Sequence, residues 1–269
     1  MRPLKVAIVG GSLAGCSAAI LLARSGHDVH LFERSRGGLV GRGGGIATPR
    51  PLFASMVEHD VIDADFPHLM ATSTPLVVRT ATQPERGHRA WELPLDVAVF
   101  HWSALWGALR RRVPQGRYHQ ERTVVGAVDH PGGRVTLTFH DGSAVDADLV
   151  LWADGYQSLG RRLAFPEAAL SYRGYMLWRG VLPEAAMAGG DGVGSAAPRV
   201  FYPDMPGHLI AYMVPGADGS CRPGDRLVNW AAFIPLPEHE FGSFMVDRSG
   251  TPRVGTIPPA RSERTRKTV

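Results

Sequence analysis

A glycine-rich turn follows the first apolar segment of the chain, and an acidic residue follows the second. The sequence VAIVGGSLAG spans residues 6–15, and Gly10, Ser12 and Gly15 stand where a G-x-G-x-x-G sequence carries its three glycines. Glu33 comes about twenty residues later, at the spacing of an acid that binds a ribose. These residues could hold a dinucleotide, because N–H groups at a helix start attract a pyrophosphate and the acid accepts hydrogen bonds from a sugar.

Ser12 is the one departure from that pattern. Its side chain takes up space where a phosphate would meet bare backbone, but its hydroxyl can itself donate a hydrogen bond. We expect the turn to hold a dinucleotide, and the alternative is a fold of the same type with an empty crevice. Glu33 favours FAD or NAD over NADP, because its carboxylate would repel a 2′-phosphate on the adenosine ribose.

Two further segments could line the same ligand. Residues 37–47, GGLVGRGGGIA, hold six glycines in eleven positions, so their backbone can approach a ligand closely. We expect a ligand-facing loop there, and the alternative is a flexible linker. Asp154 and Gly155 follow an apolar strand, and would therefore lie at the edge of an open α/β sheet where ligands bind. The alternative for Asp154 is a cap on the helix that follows it.

The elements that must position these residues begin with a strand over residues 4–9, a helix from Leu13 to Arg24 and a strand over residues 28–33. A strand, a helix and a strand in this order form a right-handed unit whose strands are parallel neighbours. Residues 49–62, PRPLFASMVEHDVI, predict a second helix.

The middle of the chain predicts two strands and a third helix. Residues 75–94 alternate as antiparallel strands do. Residues 101–113 predict a helix with one apolar face, formed by Trp102, Leu105, Trp106, Leu109 and Val113. We expect its two tryptophans to be buried in the core rather than stacked on a cofactor, because this spacing is typical of burial. The run from Arg110 to Arg112, at the carboxyl end of the helix, is expected to be solvated.

The second half of the chain predicts mainly strands. Asp141 and Gly142 mark a hairpin turn, and the apolar strand DLVLW follows at residues 148–152. After Pro166, turns with glycine and proline separate YRGYMLWRGVL, RVFYP, HLIAYMVP and RLVNWAAFIPL, as in a mostly antiparallel sheet. The predicted class is α/β, with a Rossmann-like nucleotide-binding domain and an interleaved, mostly antiparallel sheet.

Composition narrows the class of protein. The chain has 269 residues, of which 44% are hydrophobic and 20% charged, as in a soluble globular protein. Its two cysteines, Cys16 and Cys221, are too few for a disulfide framework and fit a reducing cytoplasm. No apolar run approaches the roughly 20 residues that cross a bilayer, and the first residues lack a signal peptide. We expect a cytoplasmic protein without a membrane partner.

The placement of charge and of histidines argues against a nucleic-acid-binding protein and against a metal-binding protein. Residues 248–269 carry six basic residues and one glutamate. The net charge of this segment, 6 − 1 = +5, exceeds the net charge of +4 for the whole chain. Because this charge lies in a tail and not on a folded face, nucleic acid is not expected as a partner. The eleven histidines lack metal-ligand spacing, so no metal site is expected.

Three of these features together resemble the FAD-dependent aromatic hydroxylases, the single-component flavoprotein monooxygenases. They are the turn GGSLAG, Glu33 and the segment ADGYQSLGRR at residues 153–162. Within that family the chain is similar to the 2,6-dihydroxypyridine 3-monooxygenase-like branch, in which GGSL is a common form of the turn. GRGGGIATPR, FHWSALWGALRRRVP and YRGYMLWRGVLPE are also similar in order and spacing, and the resemblance runs to about residue 260.

The resemblance implies an enzyme that binds FAD. NADH or NADPH would reduce the flavin, and O2 would be used to hydroxylate an electron-rich aromatic or heteroaromatic small molecule. The cofactor carries this chemistry, so no acid–base pair is required of the protein and the catalytic residues stay unknown. Two alternatives are open: a non-catalytic FAD- or nucleotide-binding remnant, and an NAD-dependent oxidoreductase, for which we find no proton-transfer residue. The sequence leaves the oligomeric state open, a homodimer included.

The resemblance also assigns residues to sites. The first turn would face the pyrophosphate, Glu33 the ribose, and the segment from Arg42 to Ile46 the flavin. The full set expected at FAD is Gly10, Ser12, Leu13, Ala14, Gly15, Glu33, Arg34, Arg42, Gly45, Ile46, Asp154 and Gly155. Trp152 replaces the usual glycine of the second motif and is expected to crowd that corner. The substrate candidates, by segment only, are Met176, Arg179, Tyr202, Met213 and Trp230.

The predicted domains are interleaved. Residues 1–74 and 95–165 would form the FAD-binding domain, residues 75–94 and 166–240 the substrate domain, and residues 241–269 a basic, poorly ordered tail. The enzymes that the chain resembles continue into a third motif, Gly-Asp followed by small residues, which touches the flavin. The sequence ends before that motif, so we expect weaker retention of FAD and an impaired hydroxylation.

Overall fold

A computed structural model describes residues 2–187, 194–202 and 205–255. The strands are β1 (Lys5–Val9), β2 (Asp28–Phe32), β3 (Gly45–Pro49), β4 (Leu69–Thr80), β5 (Gln83–His101), β6 (Tyr118–His119), β7 (Val124–His130), β8 (Arg134–Phe139), β9 (Ala144–Ala147), β10 (Leu149–Trp152), β11 (Tyr175–Pro183), β12 (Arg199–Tyr202), β13 (Met205–Val214) and β14 (Leu227–Pro235). The helices are α1 (Leu13–Arg24), α2 (Arg50–Glu58), α3 (Trp102–Arg112), α4 (Leu159–Ala164) and α5 (Glu238–Phe244).

The first two strands form a four-stranded parallel sheet with β6 and β10, in the order β10-β1-β2-β6. The parallel pairing of β1 with β2 and the bounds of α1 confirm the predicted unit. Strand β1 is apolar from Val6 to Val9 because both of its faces are covered, on one side by α1 and α3 and on the other by a small sheet. Because all four strands are parallel, their carboxyl ends meet at one edge of the sheet.

A seven-stranded sheet in the order β11-β14-β13-β12-β4-β5-β3 forms the second layer. Its strand pairs are antiparallel except for β12 with β4, so the predicted mostly antiparallel sheet is confirmed. Strands β4 and β5 extend beyond residues 75–94 at both ends, and their pairing shifts register at three places. The pattern of alternation breaks at such shifts, which is why the sequence showed only the middle of this hairpin. The interleaved domain boundaries remain a prediction.

The hairpin at Asp141 and Gly142 is confirmed, and it joins β8 to β9 in a three-stranded sheet with β7. Gly142 has a φ of +79°, the left-handed backbone that such a turn requires. The inner face of this sheet, with Leu137 and Phe139 fully buried, packs on β1 and β10.

The apolar face predicted for α3 is confirmed, since Leu105, Trp106, Leu109 and Val113 are buried. The prediction of a solvated arginine run at its end was wrong for Arg112. Its side chain is 14% exposed and forms ion pairs with Asp60 and Asp63 from the loop after α2. The guanidinium of Arg110 lies 4.0 Å from the centre of the Tyr118 ring. Neither partner is near α3 in sequence, so the helix alone could not show them.

Two further sequence predictions concern membrane-spanning helices and the basic tail. Among the described residues, no helix is long and apolar enough to cross a membrane. Residues 241–255 of the predicted tail contain the end of α5 and a turn in which the Asp247 carboxylate accepts hydrogen bonds from the N–H groups of Ser249 and Thr251. The other residues of that prediction, 256–269, lie outside the described part of the chain.

Candidate cofactor and substrate site

The first turn requires glycine at two of its three fingerprint positions. Gly10 has a φ of +105°, and a β carbon there would overlap the carbonyl oxygen of Ala153. A β carbon on Gly15 would overlap the carbonyl oxygen of Gly10. The first glycine therefore lets the end of β10 approach the turn, and the second lets α1 pack on it. The two motifs predicted from the sequence thus meet at the carboxyl edge of the parallel sheet.

The middle position tolerates a serine. Ser12 has a φ of −84°, an ordinary conformation for any residue, and its hydroxyl forms no hydrogen bond with the start of α1. The N–H groups of Leu13 and Ala14 have no acceptor within the helix, and its first turn carries no acid. This arrangement suits a negatively charged group, because the helix dipole and free donors point at the same place.

Glu33 is buried beside the turn, with 6% of the residue exposed. One of its carboxylate oxygens accepts from the N–H of Gly11 at 2.7 Å, and the other accepts from the N–H of Ser35 at 2.8 Å. Each oxygen can accept a second hydrogen bond, so a sugar hydroxyl could still bind there. Arg34 is exposed immediately after it.

Two residues that sequence reasoning missed as site residues hold the turn from below. The carbonyl of Gly11 accepts hydrogen bonds from Trp106 Nε1 at 2.9 Å and from the Tyr118 hydroxyl at 3.1 Å. Burial raises the pKa of Tyr118, which keeps its hydroxyl a donor, and burial likewise raises the pKa of the Cys16 thiol in the same layer to about 12. With its N–H on Glu33, Gly11 is fixed on both sides. The sequence carried no signal for these contacts, because the partners are far apart in the chain.

Asp154 caps the helix that follows it through one carboxylate oxygen, and its role at a ligand stays a prediction. Its Oδ2 accepts from the N–H of Leu159 at 2.7 Å, as a helix cap does, and Ser158 caps the same helix. Its Oδ1 is buried and, within the described residues, has no hydrogen-bond partner. A buried acceptor without a donor is costly, so this oxygen points to a ligand that donates. Gly155 follows, exposed, at a φ of +80°.

Trp152 packs beneath the helix that follows the second motif. Its ring lies against Gly160 of α4, where a β carbon would overlap it. It also packs with the apolar layer between β1 and the small sheet. The ring is therefore accommodated under α4, and the crowding of the second motif by Trp152 stays a prediction.

The glycine-rich segment runs along α3. A β carbon on Gly38 would lie 3.4 Å from the Trp106 ring, and one on Gly43 would lie 2.6 Å from the Trp102 side chain. Arg42 is exposed between these two points. The predicted loop ends earlier than expected, because Gly45 already begins β3. Ile46 pairs with Phe100 and packs against the main core.

Asn229 joins the large sheet to this segment. The residue is 5% exposed, and its Oδ1 accepts from the N–H of Gly45 at 2.6 Å. A β carbon on Gly44 would lie 2.7 Å from Asn229 Oδ1, and one on Gly45 would lie 2.7 Å from the Tyr212 ring. The run of glycines is thus needed where the segment meets β13 and β14. Sequence reasoning missed Asn229, which lies 184 residues from Gly45.

One face of the large sheet continues from Asn229 and Tyr212 away from the glycine-rich segment. Residues that pair directly in antiparallel strands share a face, so the register defines its members. This open face consists of Tyr175, Leu177, Arg179 and Val181 of β11, Asn229, Ala231 and Phe233 of β14, and His208, Ile210 and Tyr212 of β13. Tyr175, Leu177 and Val181 are 41–43% exposed, so this face is largely uncovered at β11.

The substrate candidates do not all lie on this face. Arg179 lies on it, whereas Met176, Met213 and Trp230 lie on the opposite face by the same register. Met213 is buried there, and Trp230 packs against the same cluster. Tyr202, at the end of β12, has its ring 5.2 Å from the guanidinium of Arg79. Strand alternation could have separated these residues, but the inward face was not evident from the sequence.

These hydrogen-bond donors and acceptors fit the adenosine diphosphate half of FAD. N–H groups at the start of α1, a buried carboxylate at the end of β2 and a buried Asp154 oxygen without a partner among the described residues converge at one edge of the sheet. Groups of three or more His, Cys, Asp or Glu side chains that could hold a metal are absent from the described residues.

Two family models match parts of the chain. One, described as a FAD binding domain-like family, matches residues 172–267, and the other, described as an NAD(P)-binding Rossmann-like domain, matches residues 8–53. The first match falls on the large sheet and the segment after it. The second falls on β1, α1, β2 and the glycine-rich segment.

Two proteins with similar sequences are named as monooxygenases of ring compounds. The chain is 32% identical over 222 residues to the 2,6-dihydroxypyridine 3-monooxygenase of Paenarthrobacter nicotinovorans, which covers 81% of this chain and 53% of that protein. It is 30% identical over 254 residues to the 3-amino-4-hydroxybenzoate 2-monooxygenase of Streptomyces cremeus, which covers 90% of this chain and 59% of that protein. The chain therefore spans little more than half the length of these relatives.

A solved structure has the same architecture over nearly the whole chain. The 2,6-dihydroxypyridine-3-hydroxylase from Arthrobacter nicotinovorans superposes with a TM-score of 0.84 at 26% identity, covering 99% of this chain and 67% of that chain. The tetrameric form of 2-methyl-3-hydroxypyridine-5-carboxylic acid oxygenase has a TM-score of 0.66 at 20% identity, covering 88% of this chain and 60% of that chain, and shows the fold alone.

Proposed function

Because the chain belongs to the family of FAD-dependent monooxygenases, we propose that it binds FAD and uses NADH or NADPH and O2 to hydroxylate an aromatic or heteroaromatic small molecule. The relatives are named for a dihydroxypyridine and an aminohydroxybenzoate, which are rings of this kind. The observation that carries the proposal is the meeting of the first turn with Asp154, made close by Gly10.

We assign the two ends of the adenosine diphosphate group to separate residues. The pyrophosphate would accept hydrogen bonds from the N–H groups of Leu13 and Ala14 and from the Ser12 hydroxyl. The ribose would donate to Glu33, whose oxygens each retain a free acceptor position. Asp154 Oδ1 would accept from a cofactor hydroxyl, since its lack of a partner among the described residues is then explained.

The other residues expected at FAD surround this centre. Arg34 follows Glu33, and Arg42 lies on the exposed part of the glycine-rich segment. Gly45 and Ile46 begin β3, where the segment meets the large sheet. Gly155 offers bare backbone beside Asp154. We propose that these residues line the cofactor along its length.

Bound FAD would supply the redox chemistry, in which two electrons from NADH or NADPH and one O2 place one oxygen atom on the ring and release the other as water. The residues of the chain would bind and orient the two reactants and exclude water from them. The open face is suited to hold a flat ring, because it carries apolar and aromatic side chains next to the glycine-rich segment. Of the five substrate candidates, Arg179 is the one we place in contact with substrate.

We also propose a cytoplasmic location and a homodimeric assembly. Both cysteines are free thiols, which supports a reducing compartment such as the cytoplasm. A homodimer is our proposed assembly, and size-exclusion chromatography with light scattering checks it. The relative named above as tetrameric makes a larger assembly the outcome that would contradict it.

The test begins with the purified protein mixed with FAD and separated from free FAD by gel filtration. We expect flavin absorbance to elute with the protein at about one FAD per chain, and NADH or NADPH oxidation to rise when a hydroxylated aromatic ring is added. Mass spectrometry should then find the ring with one added oxygen atom.

Each contrary result selects a different function. Uptake of FAD with oxidation that no ring stimulates and no oxygenated product would indicate a nucleotide-binding remnant. Binding of NAD in place of FAD would indicate a dehydrogenase. Either result would overturn the proposed monooxygenase activity.

A further inference from the structure

Two histidines face each other across neighbouring strands of the parallel sheet. His30 Nδ1 on β2 lies 3.0 Å from His119 Nε2 on β6, and the two ring planes are 12° apart. The His119 ring also packs on Phe32, with ring centres 5.0 Å apart. Because Phe32 belongs to the apolar layer between β1 and the three-stranded sheet, this histidine pair lies at the edge of that layer.

The hydrogen bonds of the histidine pair fix where each ring carries its proton. The guanidinium of Arg117 can only donate, and its nitrogen lies 2.6 Å from His30 Nε2, so that ring nitrogen is an acceptor. The proton of a neutral His30 is therefore on Nδ1, which donates to His119 Nε2. Both rings are neutral in this arrangement, and each uses its unprotonated nitrogen as an acceptor.

A further proton on either ring would break one of these bonds. On His119 Nε2 it would meet the N–H of His30, and on His30 Nε2 it would meet a nitrogen of Arg117. Asp28 Oδ1 lies 3.5 Å from His30 Nε2 and could accept from a protonated ring, but the same oxygen already binds Arg117 at 2.7 Å. The set of hydrogen bonds is thus complete only while both rings are neutral.

The surroundings of the histidine pair also oppose protonation. The charged groups that act on it are Lys5 on β1, Asp28 on β2, and Arg117 and Arg122 on either side of β6. Three of these four are positive, and Arg122 forms an ion pair with Asp141 in the turn between β8 and β9. Burial, followed by the neighbouring positive charges, lowers the pKa of both histidines, and Asp28 opposes this at the first of them. The pair is therefore neutral at neutral pH and takes up protons in acid.

Strand β6 connects the histidine pair to the first turn. The strand has two residues, and Tyr118 lies on the other face from His119 because successive side chains of a strand point to opposite faces. The Tyr118 hydroxyl donates to the carbonyl of Gly11, and the N–H of Glu33 donates to the backbone carbonyl of His119 at 2.8 Å. A displacement of β6 would therefore move both the turn and the carboxylate beside it.

We propose that the histidine pair is a pH-sensitive support of the first turn: proton uptake in acid separates the two rings, loosens β6 and weakens the binding of FAD. The sign follows from linkage, because groups that bind protons more weakly in the intact arrangement favour the loosened one as the pH falls. The inference rests on the proposed function for its last step alone, since the support acts on the turn with or without FAD.

The indole N–H of Trp106 reports on the turn without FAD, because it donates to the carbonyl of Gly11. Its NMR signal, assigned by comparison with Trp106→Phe, is followed in the protein without FAD from about pH 7.5 to about pH 5.5, on either side of the ordinary histidine pKa. His119→Gln keeps an amide oxygen for His30 but does not titrate. His140→Gln is the matched control, at an exposed histidine whose side chain forms no hydrogen bond within the described residues.

We expect the indole signal of the native protein to move towards the position of a solvent-exposed indole as the pH falls, and that of His119→Gln to stay in place. FAD affinity, measured by flavin fluorescence, should fall roughly threefold to tenfold over the same range in the native protein and less than about twofold in His119→Gln, as a pKa difference of up to about one unit allows. His140→Gln should behave as the native protein in both measurements. His30→Gln removes the other ring and should flatten both responses, which keeps the test decisive if His119→Gln does not fold.

An indole signal that does not move with pH in the native protein would overturn the pH-sensitive support. A movement that persists in both glutamine variants of the pair, or that is lost in His140→Gln, would overturn it as well. A moving signal with an unchanged FAD affinity would overturn the coupling to the cofactor. Failure of the proposed function looks different, because a protein that binds no FAD at the higher pH contradicts that function while its indole signal still tests the support.

Discussion

Ser12 shows how a residue can depart from a motif without losing its geometry. Its backbone conformation is open to any residue, so the glycine usually found there is not required for the fold of this turn. Gly10 and Gly15 differ, because each stands against a carbonyl oxygen at a distance that no β carbon tolerates. The three positions of the motif therefore have separate physical requirements.

Ser12→Ala tests whether the hydroxyl binds the pyrophosphate. We expect FAD affinity to fall by roughly two- to tenfold, the range for one hydrogen bond, while the melting temperature stays the same because the hydroxyl caps nothing in the helix. Titration of the apoprotein by flavin fluorescence measures the affinity. Ser17→Ala, in the same helix, is the control. An unchanged affinity in Ser12→Ala would remove Ser12 from the cofactor site.

Gly10→Ala should be far more damaging than its size suggests. A β carbon would push the end of β10 away from the turn and would stand at a φ of +105°. We expect FAD uptake to be lost and the melting temperature to fall. Gly37→Ala is the control, because a β carbon there meets no atom within 4 Å. Normal FAD uptake by Gly10→Ala would contradict the close approach of the two motifs.

At the scale of elements, Asn229 ties β14 to the glycine-rich segment, and Arg42 makes that segment open to trypsin. Asn229→Leu removes the acceptor for Gly45, so we expect cleavage after Arg42 to become several-fold faster in the protein without FAD. Asn229→Asp keeps an oxygen for the same N–H and should be cleaved at nearly the native rate. Gel electrophoresis of timed digests measures both. Equal rates in all three proteins would show that Asn229 does not fix the segment.

The sequence predicted the elements better than their partners. The bounds of α1 and the parallel pairing of β1 with β2 followed from a local pattern of apolar residues and glycines. The roles of Trp106 and Tyr118 beneath Gly11 did not, because those residues come from α3 and β6 and meet the turn only in the folded chain. The same holds for Arg112, whose two carboxylate partners lie in the loop after α2.

The whole sheet explains why the substrate candidates could be named only by segment. Alternation along β11 separates Arg179 from Met176, but it does not say which face is inward. That was decided by Asn229 and Tyr212, which meet the glycine-rich segment and so mark the open face. The sequence thus predicted the family and the first turn, whereas the substrate side required the register of three strands.

Stability of the whole molecule should depend on pH through one partly buried ion pair. Glu184, in the turn after β11, accepts hydrogen bonds from Arg226 and from the N–H of Gly224. These contacts, Arg226 first, lower the pKa of Glu184 from 4.5 to about 2. A carboxylate with a lowered pKa stabilises the fold above its unfolded pKa, and this contribution is lost as the pH falls from 4.5 towards 2.

Glu184→Gln should therefore reduce the free energy of unfolding at pH 7 and flatten its decline between pH 4.5 and pH 2. We expect a loss of about 1–3 kcal/mol at pH 7, the range for hydrogen bonds to a charged group. Urea unfolding at each pH measures it. Glu167→Gln, at an exposed glutamate without an ion pair among the described residues, should leave the profile unchanged. A profile for Glu184→Gln as steep as that of the native chain would refute this account.

The layer beneath the first turn has a consequence for chemical labelling. Cys16 is fully buried below Gly11 and its thiol resists ionisation, whereas Cys221 is exposed. A thiol reagent should react at once with Cys221, and with Cys16 only in molecules whose turn has opened. The rate of the slow phase would report how often the first turn opens, and bound FAD should reduce that rate.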